Sequence, residues 1–263
     1  MDDTAAFHAH YALGFEQDRL TAGGDRLELV RTLELLDAVL PAAPADVLDV
    51  GGGAGVYATR LARAGHRVQL VDVVALHVEQ ARAAAAELPG AHFTASLGDA
   101  RDLSAFAGES VDVVLLLGPL YHLTERSDRV LALAEARRVL RPGGFVAAAA
   151  VCRFASILDG TVHGRLDDPR FLGIVERDLR DGQHRNPDNE PEWFTTAFFH
   201  RPEDLRSEVE EAGLRLERLA GVEGPGGWLG RWPEQAELVL RAARLAQDAA
   251  PKLSAHLLAI ARR

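Results

Sequence analysis

Short apolar runs alternate along this chain with longer stretches of helical periodicity. The run at 111–117 is apolar at all but one position, which is typical of a strand buried on both faces. The longer stretches repeat apolar residues at spacings of three and four, as one face of a helix does. The predicted strands are 46–50, 67–72, 91–95, 111–117 and 145–152, and the helices between them are 54–64, 75–87 and 125–140.

The ends of the chain extend this pattern. Two helices, 5–20 and 24–40, are predicted before the first strand. After residue 200 a helix begins at Pro202, and a strand at 214–220, a helix at 233–247 and a strand at 255–261 follow. Alternating strands and helices predict an α/β fold with a doubly wound sheet. We expect seven strands, mostly parallel with an antiparallel last strand, in one domain, 1–263.

The segment at 159–192 breaks the pattern, because 14 of its 34 residues are charged and three are proline. So polar a segment is expected to lack its own core and to order only when something is bound. It follows the fifth strand, near the edge of the sheet where ligands bind. We therefore predict that an insertion at about 153–200 acts as a lid.

A dense glycine turn follows the first strand. Asp49 precedes Gly51, Gly53 and Gly55 at alternate positions, and the second strand ends in Asp72. Such a turn lets a ligand approach bare backbone, and an acid at the end of the second strand suits two adjacent ribose hydroxyls. The pattern predicts a cofactor that contains a nucleoside.

The glycine spacing bears on which cofactor this is. A dinucleotide fingerprint that starts at Gly51 needs a third glycine where Val56 stands. A fingerprint that starts at Gly53 ends at Ala58, which is allowed, so that frame stays open. The acid at Asp49 would repel a pyrophosphate and attract an ammonium. An NAD(P)-dependent oxidoreductase is therefore the alternative, and it is further disfavoured because Lys252, the only lysine, leaves no Tyr-x-x-x-Lys pair.

The turn at 49–55 resembles motif I of the class I S-adenosylmethionine-dependent methyltransferases. Three further segments resemble the family's motifs: 98–100 its adenine-contacting turn, 117–123 its loop after strand four, and 140–144 its turn before strand five. An N-terminal segment with Tyr11 and Arg19 resembles a helix that closes over the cofactor in many bacterial small-molecule members.

This resemblance implies a Rossmann-like fold and S-adenosyl-L-methionine as cofactor, with S-adenosyl-L-homocysteine as product. A cofactor-binding protein without catalysis is a further alternative. The cofactor-binding residues that the resemblance implies are Tyr11, Arg19, Asp49, Gly51, Gly53, Gly55, Asp72, Val73, Asp99, Ala100 and Leu117.

The acceptor of the methyl group is less well defined. His122 and His200 are the candidate catalytic bases, and Tyr121 and Phe199 are candidate contacts to the substrate. Each has a structural alternative: Tyr121 as core packing, His122 as a hydrogen-bonded wall residue, His200 as the approach to the helix that Pro202 starts. A hydroxyl acceptor would need a base, whereas an amine must arrive unprotonated. The methylated atom is therefore expected to be O or N of a small molecule, and less readily C.

Composition sets the remaining expectations. The formal charge of −10 argues against a nucleic-acid partner, which normally needs a basic face. No run of 18 apolar residues occurs and the N-terminus is acidic, so we expect a cytoplasmic protein without a membrane partner. Asp167 and Asp168 form only an isolated acidic pair, so no metal is predicted. The sequence leaves the oligomeric state open.

Overall fold

The computed structural model describes residues 26–229 and 232–263. The predicted helix at 5–20, with Tyr11 and Arg19, lies outside the described residues. The strands are β1 (Asp46–Val50), β2 (Arg67–Asp72), β3 (Phe93–Leu97), β4 (Val111–Leu116), β5 (Leu140–Val151), β6 (Gln183–His184), β7 (Ala197–Phe198), β8 (Arg215–Gly221) and β9 (His256–Arg262). The helices are α1 (Arg26–Asp37), α2 (Val56–Arg63), α3 (Ala75–Ala86), α4 (Pro119–His122), α5 (Arg126–Val139), α6 (Ala155–Val162), α7 (Pro169–Asp181), α8 (Pro202–Glu211) and α9 (Ala236–Ala246).

Seven strands form one sheet in the order β3-β2-β1-β4-β5-β9-β8. Strands β1 to β5 are parallel to one another, and β9 runs antiparallel to both β5 and β8. The predicted fold class is therefore confirmed. The single-domain assignment stays a prediction.

The centre of the sheet is buried on both faces. Val114 and Leu116 of β4 belong to one apolar cluster, and Val113 and Leu115 belong to the cluster on the opposite face. Successive side chains of a strand point to opposite faces, so a continuous apolar run fills two cores. Because β9 is antiparallel, its first residue, His256, lies at the edge where the parallel strands end.

Strand β5 begins earlier than predicted, because the turn at 141–144 lies within it. Leu140 pairs with Val111, and Phe145 then pairs with Val113 after a shift in register. Gly143 absorbs this irregularity with φ of 81°, a conformation that favours glycine.

The insertion between β5 and α8 contains α6, α7 and the hairpin of β6 and β7. Phe171, Ile174 and Val175 of α7 are buried, so the prediction that this segment lacks its own core is wrong. These apolar residues recur at spacings of three and four, and that helical periodicity matters more than the number of charges around them.

Polar contacts complete the packing of the insertion. The buried Asp178 accepts a hydrogen bond from Ser156 Oγ, and His184 Nδ1 lies 2.8 Å from Asp178 Oδ2. Asp168, proposed above as half of a weak acidic pair, accepts a hydrogen bond from the Arg170 backbone N–H and caps α7. In the part of the chain that is described, no helix has the length and apolar character needed to cross a membrane.

Candidate functional site

The glycine turn has the backbone that its sequence predicts. Gly51, Gly53 and Gly55 have φ of 69°, 57° and 86°, a region that other residues rarely adopt. A Cβ on Gly51 would lie 2.6 Å from Pro119 Cγ, whereas a Cβ on Gly53 would meet nothing within 4 Å. Gly51 is therefore needed for packing, and Gly53 faces an open space that a ligand can fill.

Asp72 ties this turn to the second strand. Its Oδ2 accepts a hydrogen bond of 2.9 Å from the Gly53 N–H, and its Oδ1 accepts one of 2.8 Å from the Val74 N–H. His77 Nδ1 lies 3.2 Å from the same Oδ1. Sequence reasoning missed His77, whose one signal is its place on the first turn of the helix after the acid. The carboxylate thus shapes the turn as well as facing the cofactor edge.

Asp49 is a buried acid with few partners. It is fully buried, and neither carboxylate oxygen has a hydrogen bond of good geometry from the described residues. Burial raises its pKa to about 7, with a further rise from the charge of Asp72, while the nearby Ala58 backbone amide partly offsets both. Such an acid suits a ligand that brings a positive charge.

An apolar surface lies beside these acids. The predicted cofactor residue Val73 is 40% exposed, and Leu97, which sequence reasoning missed, is 62% exposed. Leu97 pairs with Asp72 across β2 and β3, so both apolar side chains lie at the end of the second and third strands. They offer a platform for a flat ring.

Asp99 follows on the next turn. Its carboxylate receives a two-pronged contact from Arg101, with Nη2 2.7 Å from Oδ2 and Nε 3.0 Å from Oδ1. These hydrogen bonds lower the pKa of Asp99 and keep it ionised. The Ala100 side chain belongs to the core on one face of the sheet, whereas the partly buried Leu117 packs against the core on the opposite face.

Together these features fit a nucleoside that carries an amino acid. Asp49 suits an ammonium, Gly53 leaves room for close approach, Asp72 suits ribose hydroxyls, and Val73 with Leu97 suits a base. All of them lie at the end of β1, β2 or β3 on one edge of the sheet.

Aromatic side chains gather beyond β4. The Tyr121 and His122 rings lie 4.6 Å apart, and His122 stacks on Phe194 at 6.0 Å between centroids. Phe199 is buried and stacks on His184 at 4.4 Å. The structure thus brings together the loop at 118–123 and the segment at 194–200.

Phe194 holds its place in this cluster with an unusual backbone. Its φ is 62°, which costs a residue with a side chain roughly 1–2 kcal/mol. Asn186 Nδ2 donates hydrogen bonds of 2.8 Å to the carbonyls of Glu190 and Phe194. Strain of this kind tends to occur at functional sites.

His200 does not join the aromatic cluster as a base. It is completely buried, and its Nε2 lies 3.1 Å from Glu208 Oε2. Burial lowers its pKa, although the hydrogen bond and charge of Glu208 oppose this. The structure therefore disfavours His200 as a catalytic residue and favours the alternative, the approach to α8, whose first residue is Pro202.

Arg129 organises the surroundings of His200. Arg129 Nη2 lies 2.8 Å from Glu208 Oε1, and its Nη1 donates to the carbonyls of Leu123 and Thr124 at 2.8 and 2.9 Å. Burial would raise the pKa of Glu208, but hydrogen bonds from His200 and Arg129 lower it to about 2. Arg129 thereby fixes the loop that carries Tyr121 and His122.

The single cysteine is not a reactive group. Cys152 is buried directly after β5, with Sγ 3.7 Å from the carbonyl of Lys252. Burial raises the pKa of its thiol to about 11, so no thiolate is available for catalysis.

One three-residue group among the described residues has metal-ligand chemistry: Glu28, Glu223 and His256. His256 Nδ1 lies 2.5 Å from Glu223 Oε1 and 3.9 Å from Glu28 Oε2. The shorter distance is a hydrogen bond between the two side chains. The absence of a metal stays a prediction.

Comparison with known proteins supports this description. Residues 47–144 match the family model described as a methyltransferase domain. The chain is 28% identical over 190 residues to a ubiquinone biosynthesis O-methyltransferase of Xanthomonas axonopodis pv. citri, covering 72% of this chain and 71% of that protein.

Two further similar proteins are matched over different shares of this chain. An uncharacterized methyltransferase of Mycobacterium tuberculosis is 36% identical over 171 residues, covering 65% of this chain and 62% of that protein, which is under two thirds of its length. A solved S-adenosylmethionine dependent methyltransferase from Mesorhizobium loti has a TM-score of 0.62 at 18% identity, covering 90% of this chain and 100% of that chain. The structural likeness concerns the fold.

Proposed function

Because the chain belongs to the class I S-adenosylmethionine-dependent methyltransferases, we propose that it methylates a hydroxyl oxygen of a small aromatic molecule. The observation that carries this proposal is the aromatic cluster of Tyr121, His122 and Phe194. It combines flat apolar walls with a titratable ring at the end of β4.

The aromatic cluster adjoins the cofactor turn. A Cβ on Gly118 would lie 3.2 Å from the Gly51 carbonyl oxygen, and Pro119 packs against Gly51. The loop that carries His122 is therefore in contact with the turn that faces the cofactor. An acceptor held by the aromatic rings would lie beside the cofactor.

The cofactor, when bound, supplies an electrophilic methyl group. The chain's own residues would bind and orient the reactants: Asp49 would hold the ammonium, Asp72 the ribose hydroxyls, and Val73 and Leu97 would flank the adenine. His122 accepts the proton of the acceptor hydroxyl. Transfer then depends mainly on alignment and on exclusion of water, which the insertion can provide.

Two alternatives rank below methylation of oxygen. A nitrogen acceptor is the second candidate, because an amine that arrives unprotonated needs no base. A cofactor-binding protein without turnover is the third. The net charge of −10 supports a small-molecule partner over a nucleic acid. The printed name of the Xanthomonas relative, an O-methyltransferase, supports oxygen.

Replacement of His122 tests this proposal. Turnover of His122→Ala on a phenol such as hydroquinone should fall by about 10²–10⁴-fold, the usual contribution of a general base, with S-adenosyl-L-homocysteine affinity nearly unchanged. His163→Ala is the control, because His163 is an exposed histidine of the insertion.

Three outcomes would contradict parts of the proposal. Equal loss of turnover and cofactor affinity would make His122 a cofactor contact. Unchanged turnover would make it a wall residue. A wild-type protein that binds the cofactor but methylates neither phenols nor amines would favour the role without turnover.

A further inference from the structure

The side chain of His77 has no part in the function proposed above. We propose that His77 is a positioning residue for the cofactor, which holds the Asp72 carboxylate in the orientation that presents Oδ2 to the ribose hydroxyls of S-adenosyl-L-methionine. Such a role goes beyond the proposed acceptor chemistry and rests on the assignment of Asp72 to the ribose. Cofactor binding alone is therefore enough to test it.

His77 occupies a buried position that an apolar residue would usually fill. It lies in the first turn of α3, and the other buried residues of this helix are Val78 and Ala81. The His77 side chain is 5% exposed and that of Asp72 is 7% exposed. A buried polar group on such a face needs a hydrogen-bond partner, and Asp72 Oδ1, 3.2 Å from Nδ1, supplies one. This contact joins α3 to the acid that ends β2.

The other contacts of Asp72 fix the direction of this hydrogen bond. Its Oδ1 accepts from the Val74 N–H at 2.8 Å, and its Oδ2 accepts from the Gly53 N–H at 2.9 Å. The carboxyl group therefore acts as an acceptor at both oxygens, as a carboxylate does. His77 Nδ1 must then carry a proton and donate it to Oδ1.

The three donors are divided unequally between the two oxygens of Asp72. A carboxylate oxygen has two lone pairs, and His77 and Val74 occupy both of those on Oδ1. Among the described residues, the Gly53 N–H is the donor to Oδ2, so Oδ2 keeps a lone pair for a ligand hydroxyl. A Cβ on Gly53 would meet nothing within 4 Å. The open acceptor thus adjoins the open space at the turn.

Asp49 gives a reason for a third donor to Asp72. Burial, and after it the charge of Asp72, raises the pKa of Asp49 to about 7. The two carboxyl groups are therefore close enough to repel each other when both are ionised. A carboxylate held by backbone donors alone could turn about its Cβ–Cγ bond to relieve this repulsion, and the hydrogen bond from His77 opposes that rotation.

Two replacements of His77 that differ in hydrogen bonding test this role. His77→Leu keeps an apolar side chain on the buried face but removes the donor, whereas His77→Asn retains an amide N–H near the position of Nδ1. The probes are S-adenosyl-L-homocysteine and its 2′,3′-dideoxy analogue, which lacks both ribose hydroxyls. The ratio of the two affinities, measured by calorimetry, separates the ribose contribution from any general loss of binding.

Wild type should bind S-adenosyl-L-homocysteine about 10–100-fold more tightly than the dideoxy analogue, as expected for a hydrogen bond to a charged group. In His77→Leu this ratio should fall by about tenfold, because a carboxylate that can turn is no longer preorganised. In His77→Asn the ratio should stay within about threefold of wild type, because the donor is kept. His92→Leu, which replaces an exposed histidine, is the matched control and should leave the ratio unchanged.

Several outcomes would overturn the role of His77. Equal loss of affinity for both probes in His77→Leu would make His77 a purely structural residue. An unchanged ratio in His77→Leu, or the same loss in His77→Asn, would show that the donor does not matter. A wild type that does not distinguish the probes would show that Asp72 does not hold the ribose.

A measurement on wild type does not depend on the folding of any variant. In ¹⁵N-histidine-labelled protein, His77 Nδ1 should carry a proton, and an unprotonated Nδ1 would overturn the role. None of these measurements needs turnover, so failure of the proposed O-methylation would leave their results unchanged.

Discussion

Asp49 is a buried acid whose ionisation links stability to pH. Its pKa in the folded protein is raised to about 7 from 3.8, so between these values the folded state holds a proton that the unfolded state has lost. The contribution of this group to stability is therefore fully present below about pH 4 and is lost as pH rises through 7. A bound ammonium would reverse this effect, because it stabilises the ionised acid.

Asp49→Asn should remove this dependence. Relative to wild type without cofactor, the variant should gain up to roughly 4 kcal/mol in free energy of unfolding as pH rises from 4 to 8. Chemical denaturation at both pH values measures this difference. Wild type should also release a proton when it binds S-adenosyl-L-homocysteine at pH 6, which calorimetry in two buffers detects. A pH-independent difference between the proteins would refute the assignment.

Substitution of Gly53 distinguishes the cost of backbone strain from the effect of a Cβ on cofactor binding. Gly53→Ala and Gly164→Ala both place a Cβ at positive φ, 57° and 68°, where nothing lies within 4 Å. Each should lose roughly 1–2 kcal/mol of stability from this strain. Gly53→Ala alone should also lose about tenfold or more in cofactor affinity, equivalent to about 1.4 kcal/mol. Calorimetry that finds equal affinities would show that the cofactor does not approach Gly53.

The insertion is an element with its own packing. Amides of α7 should be protected from hydrogen exchange even without ligand, because Phe171, Ile174 and Val175 are buried. Phe171→Ala should destabilise the insertion by about 3–5 kcal/mol and release this protection. The neighbouring Leu172 is 40% exposed, so Leu172→Ala should have little effect. Rapid exchange of α7 in wild type would show that the insertion orders only with ligand.

An element could be predicted from the sequence when the residues that indicate it lie close together along the chain. The strands of the sheet were predicted because each carries an apolar run bounded by turn residues. The polar insertion was misjudged because its charges were counted without regard to helical spacing. His200 was misjudged because its partners, Arg129 and Glu208, come from two distant helices.

At the scale of the whole molecule, Arg129 joins three parts of the chain. It contacts Glu208 on α8, the carbonyls of Leu123 and Thr124, and the ring of Phe198, 3.7 Å from its Cζ. The acceptor loop and the end of the insertion therefore depend on one buried cation.

Arg129→Ala should leave the buried Glu208 without its buried cation and with only the more distant Arg126 at 3.4 Å, at a cost of about 3–5 kcal/mol. Turnover should fall as well, since the loop with His122 loses its anchor. Arg206→Ala, which removes an exposed ion pair with Glu210 on α8, is the control and should cost about 1 kcal/mol or less. Urea denaturation compares the two variants, and similar losses would show that Arg129 is not the anchor.

The cofactor half of the site could be predicted because its residues follow strands in short motifs. Asp49, Gly53 and Asp72 lie within one βαβ unit, and the fold brings them to one edge. The contact between Glu223 and His256 could not be predicted, because the two residues meet only when an antiparallel strand returns beside β5. Such long-range pairings leave no periodic signal.

Buried Cys152 makes this protein convenient for distance measurements. As the single cysteine, with its thiol enclosed and protonated, it should escape maleimide dyes while the protein is folded. New cysteines at exposed positions such as Val162 on α6 and Leu131 on α5 would then be the labelled sites. Energy transfer between two such dyes would show directly whether the insertion moves over the sheet during a catalytic cycle.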